Sequence, residues 1–401
     1  MSAEGRQPAQ TPICGQAGGG TPLLSLVAVI GAATIFGLTY SLTAPLVALN
    51  LAERGLGETW IGLNAAMHAV GVLMVAPLLP RLAGRFGVRP LLLVALLSTA
   101  ALLLLFPAIP IVWMWFVLRI GLGAGAEILF VLTESWANEL SSDRTRGRVM
   151  ATYTAMLSLG FAGGPLILSV TGTDGILPFA VGSGAALLAL LLLVHPGVTR
   201  PAMQAHGQSN LLRFMRLAPV AMSTTALNAA VETAGLSFMV IYAARLGWEE
   251  QAGTQLITTL MVGAILLQLP IGWLCDKMDR RTLMLWLGGL CTLGALAWPI
   301  LLQTPWVAYP ALFLWGGLFV GIYTTMLAIV GSRFRGTDLV GVYAAMGLLW
   351  GGGALVGPSL TGAALDMARH GLPLFVALAC GSFTLALLLS PALSRRRTAP
   401  A

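Results

Sequence analysis

Hydropathy along the chain rises and falls twelve times. Apolar runs of about 20 residues, the length a helix needs to cross a bilayer core, occupy 23–49, 59–80, 90–108, 111–137, 148–170, 176–194, 214–243, 251–273, 281–302, 307–331, 339–363 and 372–391. The polar stretches between them are mostly short, as in helical bundles. The longest, about 195–213, carries Pro196, Pro201, Gln204, Gln208, Ser209 and Asn210. It splits the pattern into six-helix sets at 22–194 and 214–391, with 195–213 as a cytoplasmic central linker. The pattern predicts an all-α integral membrane protein of twelve transmembrane helices. Residues 1–21, with Gly18, Gly19 and Gly20, read as a disordered polar tail in the cytoplasm, because they lack the basic start and short apolar core of a cleaved signal peptide. Residues 392–401 read as a basic cytoplasmic tail.

The two sets echo each other. Gly272-Trp-Leu-Cys-Asp276-Lys277-Met-Asp279-Arg280-Arg281 follows the eighth run, and Pro80-Arg81-Leu-Ala-Gly84-Arg85-Phe-Gly87-Val88-Arg89 follows the second. Tyr153-x-Ala155-Met156 recurs as Tyr343-x-Ala345-Met346, and Gly160-x-x-x-Gly164-Pro165 as Gly353-x-x-x-Gly357-Pro358. Spacings shared at nearly one offset predict a duplicated, pseudo-symmetric bundle around a central path.

Composition agrees. Charged residues make up 9% and apolar residues 57%, with mean hydropathy +0.86, far from the roughly 25% charge of soluble domains. The net charge of +7 does not point to nucleic acid, since the charges lie in short loops between apolar runs. Lys277 is the only lysine. With the N-terminus inside, the inner segments hold 18 of the 22 basic residues, the outer loops only Arg54, Arg245 and Arg369, and Arg119 lies within a span. This bias places both termini in the cytoplasm of a cell inner or plasma membrane. Cys14, Cys275, Cys291 and Cys380 lack the spacing of a disulfide framework or metal site. No Gly-Lys pair of a phosphate-binding loop occurs, and no His-Glu-x-x-His or Gly-x-Ser-x-Gly. These absences predict no enzyme and no cofactor, with an ion gradient, most simply protons, as the energy source.

Ionisable groups inside spans are expensive and mark function by default. They are Arg119, Glu127 and Glu134 in the fourth run and Glu232 in the seventh. Glu127 and Glu134 share a helical stripe about 20° apart, whereas Arg119 lies about 80° round and about 12 Å along from Glu127. Arg119 therefore needs partners from other helices or from substrate: it either holds an anionic solute or neutralises Glu127. Asn228 stands one turn before Glu232, and Asn64 one turn before His68. His68 reads as a proton relay or a packing histidine. Tyr40, Tyr242, Tyr323 and Trp350 read as cavity-lining or packing aromatics. Glu134 and Glu139, near Arg144, Arg146 and Arg148, read as gate-locking ion pairs of a two-state switch. Gly160, Gly164, Pro165, Gly353, Gly357 and Pro358 read as close-packing and bending elements suited to a rocking interface.

Twelve helices as two sixes, with a basic signature after helices two and eight, resemble the major facilitator superfamily over residues 20–395. The family's loop motif, Gly-x-x-x-Asp-Arg/Lys-x-Gly-Arg-Arg/Lys, is matched at Gly272, Asp276, Lys277, Arg280 and Arg281, with Asp279 replacing the inner Gly. The first copy keeps Arg85, Gly87 and Arg89 but has Gly84 in place of the acid. Arg119-x-x-x-Gly123-x-Gly125-Ala126 is similar to the family's helix-four motif, and Gly160-x-x-x-Gly164-Pro165 to that of proton-coupled exporters. The run from Arg119 through Glu134-Ser135 to Arg148 is most similar to the YcaD-like branch. The resemblance implies a secondary transporter working by alternating access as a monomer. It places Glu232 in a central cavity, as a carboxylate that exchanges a proton while binding a cation, with Glu127 as its second. Arg85, Arg89, Asp276, Lys277, Arg280 and Arg281 become a cytoplasmic latch of the outward-open state, tighter in the second half. Three carboxylates against one arginine favour a cationic or neutral amphipathic solute, and the resemblance of the Gly160-x-x-x-Gly164-Pro165 motif implies its efflux by proton antiport. Uptake of a sugar or carboxylate, in which Arg119 becomes essential, is the alternative, followed by a non-transporting sensor or scaffold.

Overall fold

The computed structural model describes residues 22–141, 145–198, 211–334 and 336–389. The tails, most of the linker and Cys14, Arg144 and Arg335 lie outside them, as does the Arg146 side chain. Among the described residues the chain is a succession of fifteen helices: α1 (Pro22–Glu53), α2 (Glu58–Val75), α3 (Leu79–Phe86), α4 (Val88–Ala108), α5 (Val112–Glu139), α6 (Arg146–Thr171), α7 (Leu177–Val194), α8 (Leu211–Leu217), α9 (Pro219–Arg245), α10 (Glu250–Leu266), α11 (Gln268–Lys277), α12 (Arg280–Leu301), α13 (Pro305–Arg333), α14 (Gly336–Met367) and α15 (Gly371–Leu389). Eleven spans are long and apolar enough to cross a membrane, and the bent pair α2 and α3 makes twelve.

Two spans depart from the hydropathy reading. The run 59–80 is not one helix: α2 ends at Val75, a turn holding Pro77 follows, and α3 leaves at 59°. The run 251–273 is interrupted at Leu267, where Pro270 has no N–H to return to Leu266. The basic signatures are accordingly not loops. Arg81 and Arg85 lie on α3, and Gly272 to Lys277 on α11. Only Gly87, at φ 84°, and the pair Met278 and Asp279 leave helical geometry.

The arginines that close the signatures brace their own halves. Arg89 donates to the carbonyls of Leu193, Val194, His195 and Val198 at 3.0–3.2 Å, holding the end of α7. Arg281 donates to Leu387 and Leu388 at 3.0 and 3.1 Å, holding the end of α15. Arg280 reaches Ala328 O at 2.9 Å and Ser332 Oγ at 2.8 Å near the end of α13. Arg89 and Arg281 satisfy carbonyls that a helix C-terminus leaves open, and all three cations oppose the dipole of the helix end they meet. Arg89→Ala should remove about 2 kcal/mol through the lost charged hydrogen bonds, and Arg281→Ala a similar amount. The check is a lower apparent melting temperature in detergent with the neighbouring signature residues intact.

Asp279, where the family motif carries Gly, is the N-cap of α12, accepting from Thr282 N and Thr282 Oγ1 at 3.0 Å each. The Thr282 N–H is the main reason its carboxyl lies below the usual range. A depressed folded-state value stabilises above the unfolded pKa and is lost as pH falls through the folded one. Asp279 is solvent-exposed, so screening keeps that contribution small. Asp279→Ala should cost about 1 kcal/mol as a lost cap, a difference that shrinks on acidification below the carboxylate range.

Within each half the glycine repeats seal one seam. Gly160 and Gly164 of α6 lie against Thr34, Ser41 and Leu42 of α1; Gly353 and Gly357 of α14 lie against Ala226 and Ala230 of α9. A methyl group on Gly357 would stand 2.6 Å from Ala230 Cα. These are packing positions, but inside each half and not on a rocking interface. The halves meet instead along α2 with α14, α6 with α10, and α1 with α9. There the small residues are Gly62, against Pro358, and Gly362, against Glu58.

Candidate functional site

At the arginine-poor end the junction is shut by a clasp. Asp366, near the end of α14, accepts from the N–H groups of Glu58 and Thr59 at 3.0 and 2.9 Å and from the Thr59 hydroxyl. It caps α2 from the other half of the molecule. Arg245, closing α9, pairs with Glu58 and donates to Leu365 O at 2.9 Å. Arg369 donates to Arg245 O at 3.0 Å. At the arginine-rich end α5 makes no comparable contact with α13 or α14 among the described residues.

Below the clasp lie two cavities. The larger, about 170 Å³, is lined by α9, α10, α11, α12, α13 and α15 of the second half and by Ser158 and Phe161 of α6. Its walls are apolar (Met239, Met261, Trp298, Trp315 and Phe319 among them), and its polar groups are Ser158, Asn228, Glu232, Gln268 and Tyr323. Asn228 Nδ2 donates to Glu232 Oε2 at 3.1 Å, so the one-turn spacing is a bonded pair. The smaller cavity, about 10 Å³, lies between the halves, lined by Tyr40, Ala44, Ala65, His68, Ala69, Arg119, Thr233, Ser237 and Ala354. Arg119 and His68 are 3% and 5% exposed. Among the described residues, Arg119 Nε and both ring nitrogens of His68 are without hydrogen-bond partners. The Tyr40 and His68 rings meet edge to face at 4.9 Å. Tyr40 lies within charge reach of both Arg119 and Glu232, and its ring meets that of Phe161, which lines the larger cavity, at 5.7 Å. Trp350 stands beside it, 6.2 Å between ring centroids.

Other candidates are dispersed. Glu127 is partly buried and lines neither cavity. Arg119 does not pair with it; the group in charge reach of Arg119 is Tyr40. Asn64 is buried with its Nδ2 unpartnered but lies outside both linings. Glu134 is exposed, within charge reach of Tyr153, Tyr323 and Tyr343, so the repeated tyrosines of α6 and α14 face one carboxylate. Tyr153 also bonds Thr133 Oγ1 at 3.1 Å. Tyr242 is fully buried and bonded to His370 Nδ1 at 3.0 Å, away from both linings. Glu139 and Arg148 are exposed at the arginine-rich end. Arg85 lies over Phe86 at 5.4 Å and Lys277 over Trp273 at 4.0 Å. Asp276 is exposed and makes no hydrogen bond or ion pair among the described residues. The expected meeting of Asp276 with first-half arginines is not made in this state. The clasp residues Glu58, Thr59, Arg245 and Asp366 went unread in the sequence, although Glu58 and Thr59 open a helix and Arg245 ends one, as capping groups do.

Known proteins resemble this chain in sequence and in fold. The chain is 29% identical over 304 residues to the MFS-type transporter YfkF of Bacillus subtilis strain 168, covering 73% of this chain and 76% of that one. It is 27% identical over 281 residues to YcaD of Escherichia coli O45:K1, covering 69% and 72%. The fold matches the nucleoside transporter NupG at TM-score 0.79 and 13% identity, covering 92% of this chain and 99% of that one. It matches a D-xylose-proton symporter at TM-score 0.72 and 15% identity, covering 92% and 97%. The model of the Major Facilitator Superfamily matches residues 29–358, and with two pseudo-symmetric six-helix halves around a central junction, the chain belongs to that superfamily.

Proposed function

We propose that this chain is a secondary active transporter that moves a small amphipathic solute by alternating access, coupled to protons through Glu232. One observation carries the reading. A solute-sized, largely apolar cavity at the junction of the halves contains a carboxylate whose hydrogen-bond partner is a neighbouring amide, Asn228. A carboxylate so placed is held by no cation and is free to exchange a proton with each side in turn. The arginine bias supports a cytoplasmic N-terminus in the inner or plasma membrane. The clasped end then faces out, and the state described is open inward. The apolar lining supports an amphipathic solute, and the α6 motif supports export by proton antiport.

A second reading draws on Arg119, which makes no hydrogen bond or ion pair among the described residues. It favours uptake of a carboxylate, loaded together with a proton on Glu232 because two bare carboxylates would repel.

The test is transport into proteoliposomes under an imposed pH gradient, run over a metabolite and drug library with internal pH recorded. A solute whose movement shifts internal pH, and whose accumulation collapses with a protonophore, is the expected result. Movement indifferent to the gradient for every transported solute would remove the proton role.

A further inference from the structure

We infer that the small cavity bounded by Tyr40, His68, Arg119, Thr233, Ser237 and Ala354 is a subsite for a carboxylate group of the transported solute. The inference names the substrate class of the site proposed above and rests on that reading.

The argument begins with Arg119. A guanidinium carries five donors in a fixed fork and stays charged. Inside a membrane protein such a cation is normally paired with an acid or with carbonyls. Arg119 is 3% exposed and makes neither kind of contact among the described residues. Beside it, His68 is 5% exposed with both ring nitrogens open. At least one of these nitrogens is a donor in either tautomer. The hydroxyls of Tyr40, Thr233 and Ser237 complete the wall. A fork of cationic donors, an imidazole and hydroxyls, with no acid among the lining residues, is complementary to an anion with planar oxygens.

Size narrows the choice. About 10 Å³ is room for roughly one oxygen atom, so the pocket in this state admits the tip of a group and not a whole solute. The apolar body must lie elsewhere, and the larger cavity, whose Phe161 touches the Tyr40 ring, has the aromatic and thioether walls for it. The charge count also changes from that of the sequence. Of the three acids set against Arg119, only Glu232 lines either cavity. The two cavities together therefore hold one neutralisable carboxylate, Glu232, and one permanent cation, Arg119.

Position adds a mechanical consequence. The lining comes from α1, α2 and α5 of one half and α9 and α14 of the other. An occupant touching both halves is bound differently when they tilt, which is what a transported group must be if its binding is to bias the two states.

The experiment uses full-length protein in detergent and three ring-matched probes: indole-3-acetate, indole-3-acetamide and tryptamine, with acetate as the minimal acid. Equilibrium dialysis measures each against wild type, Arg119→Gln, Arg119→Lys and His68→Phe, and unliganded melting curves confirm that each variant is folded. The acid should bind at least tenfold more tightly than the amide. Arg119→Gln should erase that preference, Arg119→Lys should keep part of it, and His68→Phe should weaken it severalfold while retaining the edge-to-face ring contact. Tryptamine binding should not respond to Arg119→Gln. An acid that binds no better than its amide, an acid preference that survives Arg119→Gln, or no saturable binding of indole-3-acetate and acetate through the millimolar range would each overturn the assignment. If Arg119→Gln does not fold, the His68→Phe and Arg119→Lys results decide alone. Because binding is read at equilibrium with no gradient, failure here leaves the proton role of Glu232 standing, and loss of that role leaves this result standing.

Discussion

Glu232→Gln is expected to abolish gradient-driven accumulation while leaving exchange of solute across the membrane intact. The glutamine keeps the shape and the contact to Asn228 Nδ2, now accepted by an amide oxygen in place of the carboxylate Oε2. It cannot release a proton, so solute held by the apolar walls of the cavity still crosses but its movement is no longer tied to that of a proton. A coupled carrier with one proton per solute can sustain about tenfold accumulation for each unit of pH gradient, since one unit is 1.36 kcal/mol. Wild type should approach that ratio and Glu232→Gln should fall to equilibration, with counterflow of labelled solute within about threefold of wild type. Glu127→Gln should stay close to wild type, because Glu127 lines neither cavity. Retained tenfold accumulation in Glu232→Gln would remove the residue from the coupling path. An equal loss in Glu127→Gln would mean that the two acids act as a pair through groups outside the cavities.

The contrast between these glutamates shows where sequence reasoning reaches its limit. Both sit in apolar runs and both are costly to bury, so sequence alone ranks them together. What separates them is the neighbouring helix, which a single chain's periodicity does not report. Arg119 is a similar case: its 80° offset from Glu127 already excluded a pair within α5, but its position opposite His68 depends on how α2 crosses α5. The twelve spans were readable because bilayer thickness acts on each helix separately. The turn at Pro77 was not read, because a proline inside an apolar run does not lower its hydropathy. The basic signatures were readable as positions and misread as loops. Arg89 and Arg281 act on the ends of α7 and α15, more than a hundred residues away, and those helix ends are the part of their role that the motif does not show. The Arg245 pair with Glu58 spans 187 residues and crosses the halves. Nothing local marks it beyond a charge at each helix end.

That clasp yields the second large effect. Gly362→Leu should open the arginine-poor end. A Cβ at Gly362 would stand 2.9 Å from the Glu58 carbonyl carbon and 3.2 Å from Thr59 Cα. Backbone cannot yield as a flexible side chain can, so α2 and α14 must separate. The residue lies on the seam between halves, so each six-helix body keeps its own packing, and the change falls on the equilibrium between two packed states. Asp366→Ala is the milder companion. It removes a carboxylate that caps α2 through two backbone N–H groups and a hydroxyl, worth about 1.5 kcal/mol at a helix start, or about a tenfold shift in the ratio of the states. Spin labels at Asp174→Cys in the first half and Glu249→Cys in the second, both exposed at this end, report the change by pulsed electron resonance. The distance distribution should gain a longer component with Asp366→Ala and be dominated by it with Gly362→Leu. Labels at Arg148→Cys and Asp276→Cys, at the opposite end, should move closer in the same variants, because alternating access closes one end as it opens the other. If the first pair separates while the second holds still, the seam has only frayed, and the clasp is a local brace and not one side of a two-state gate.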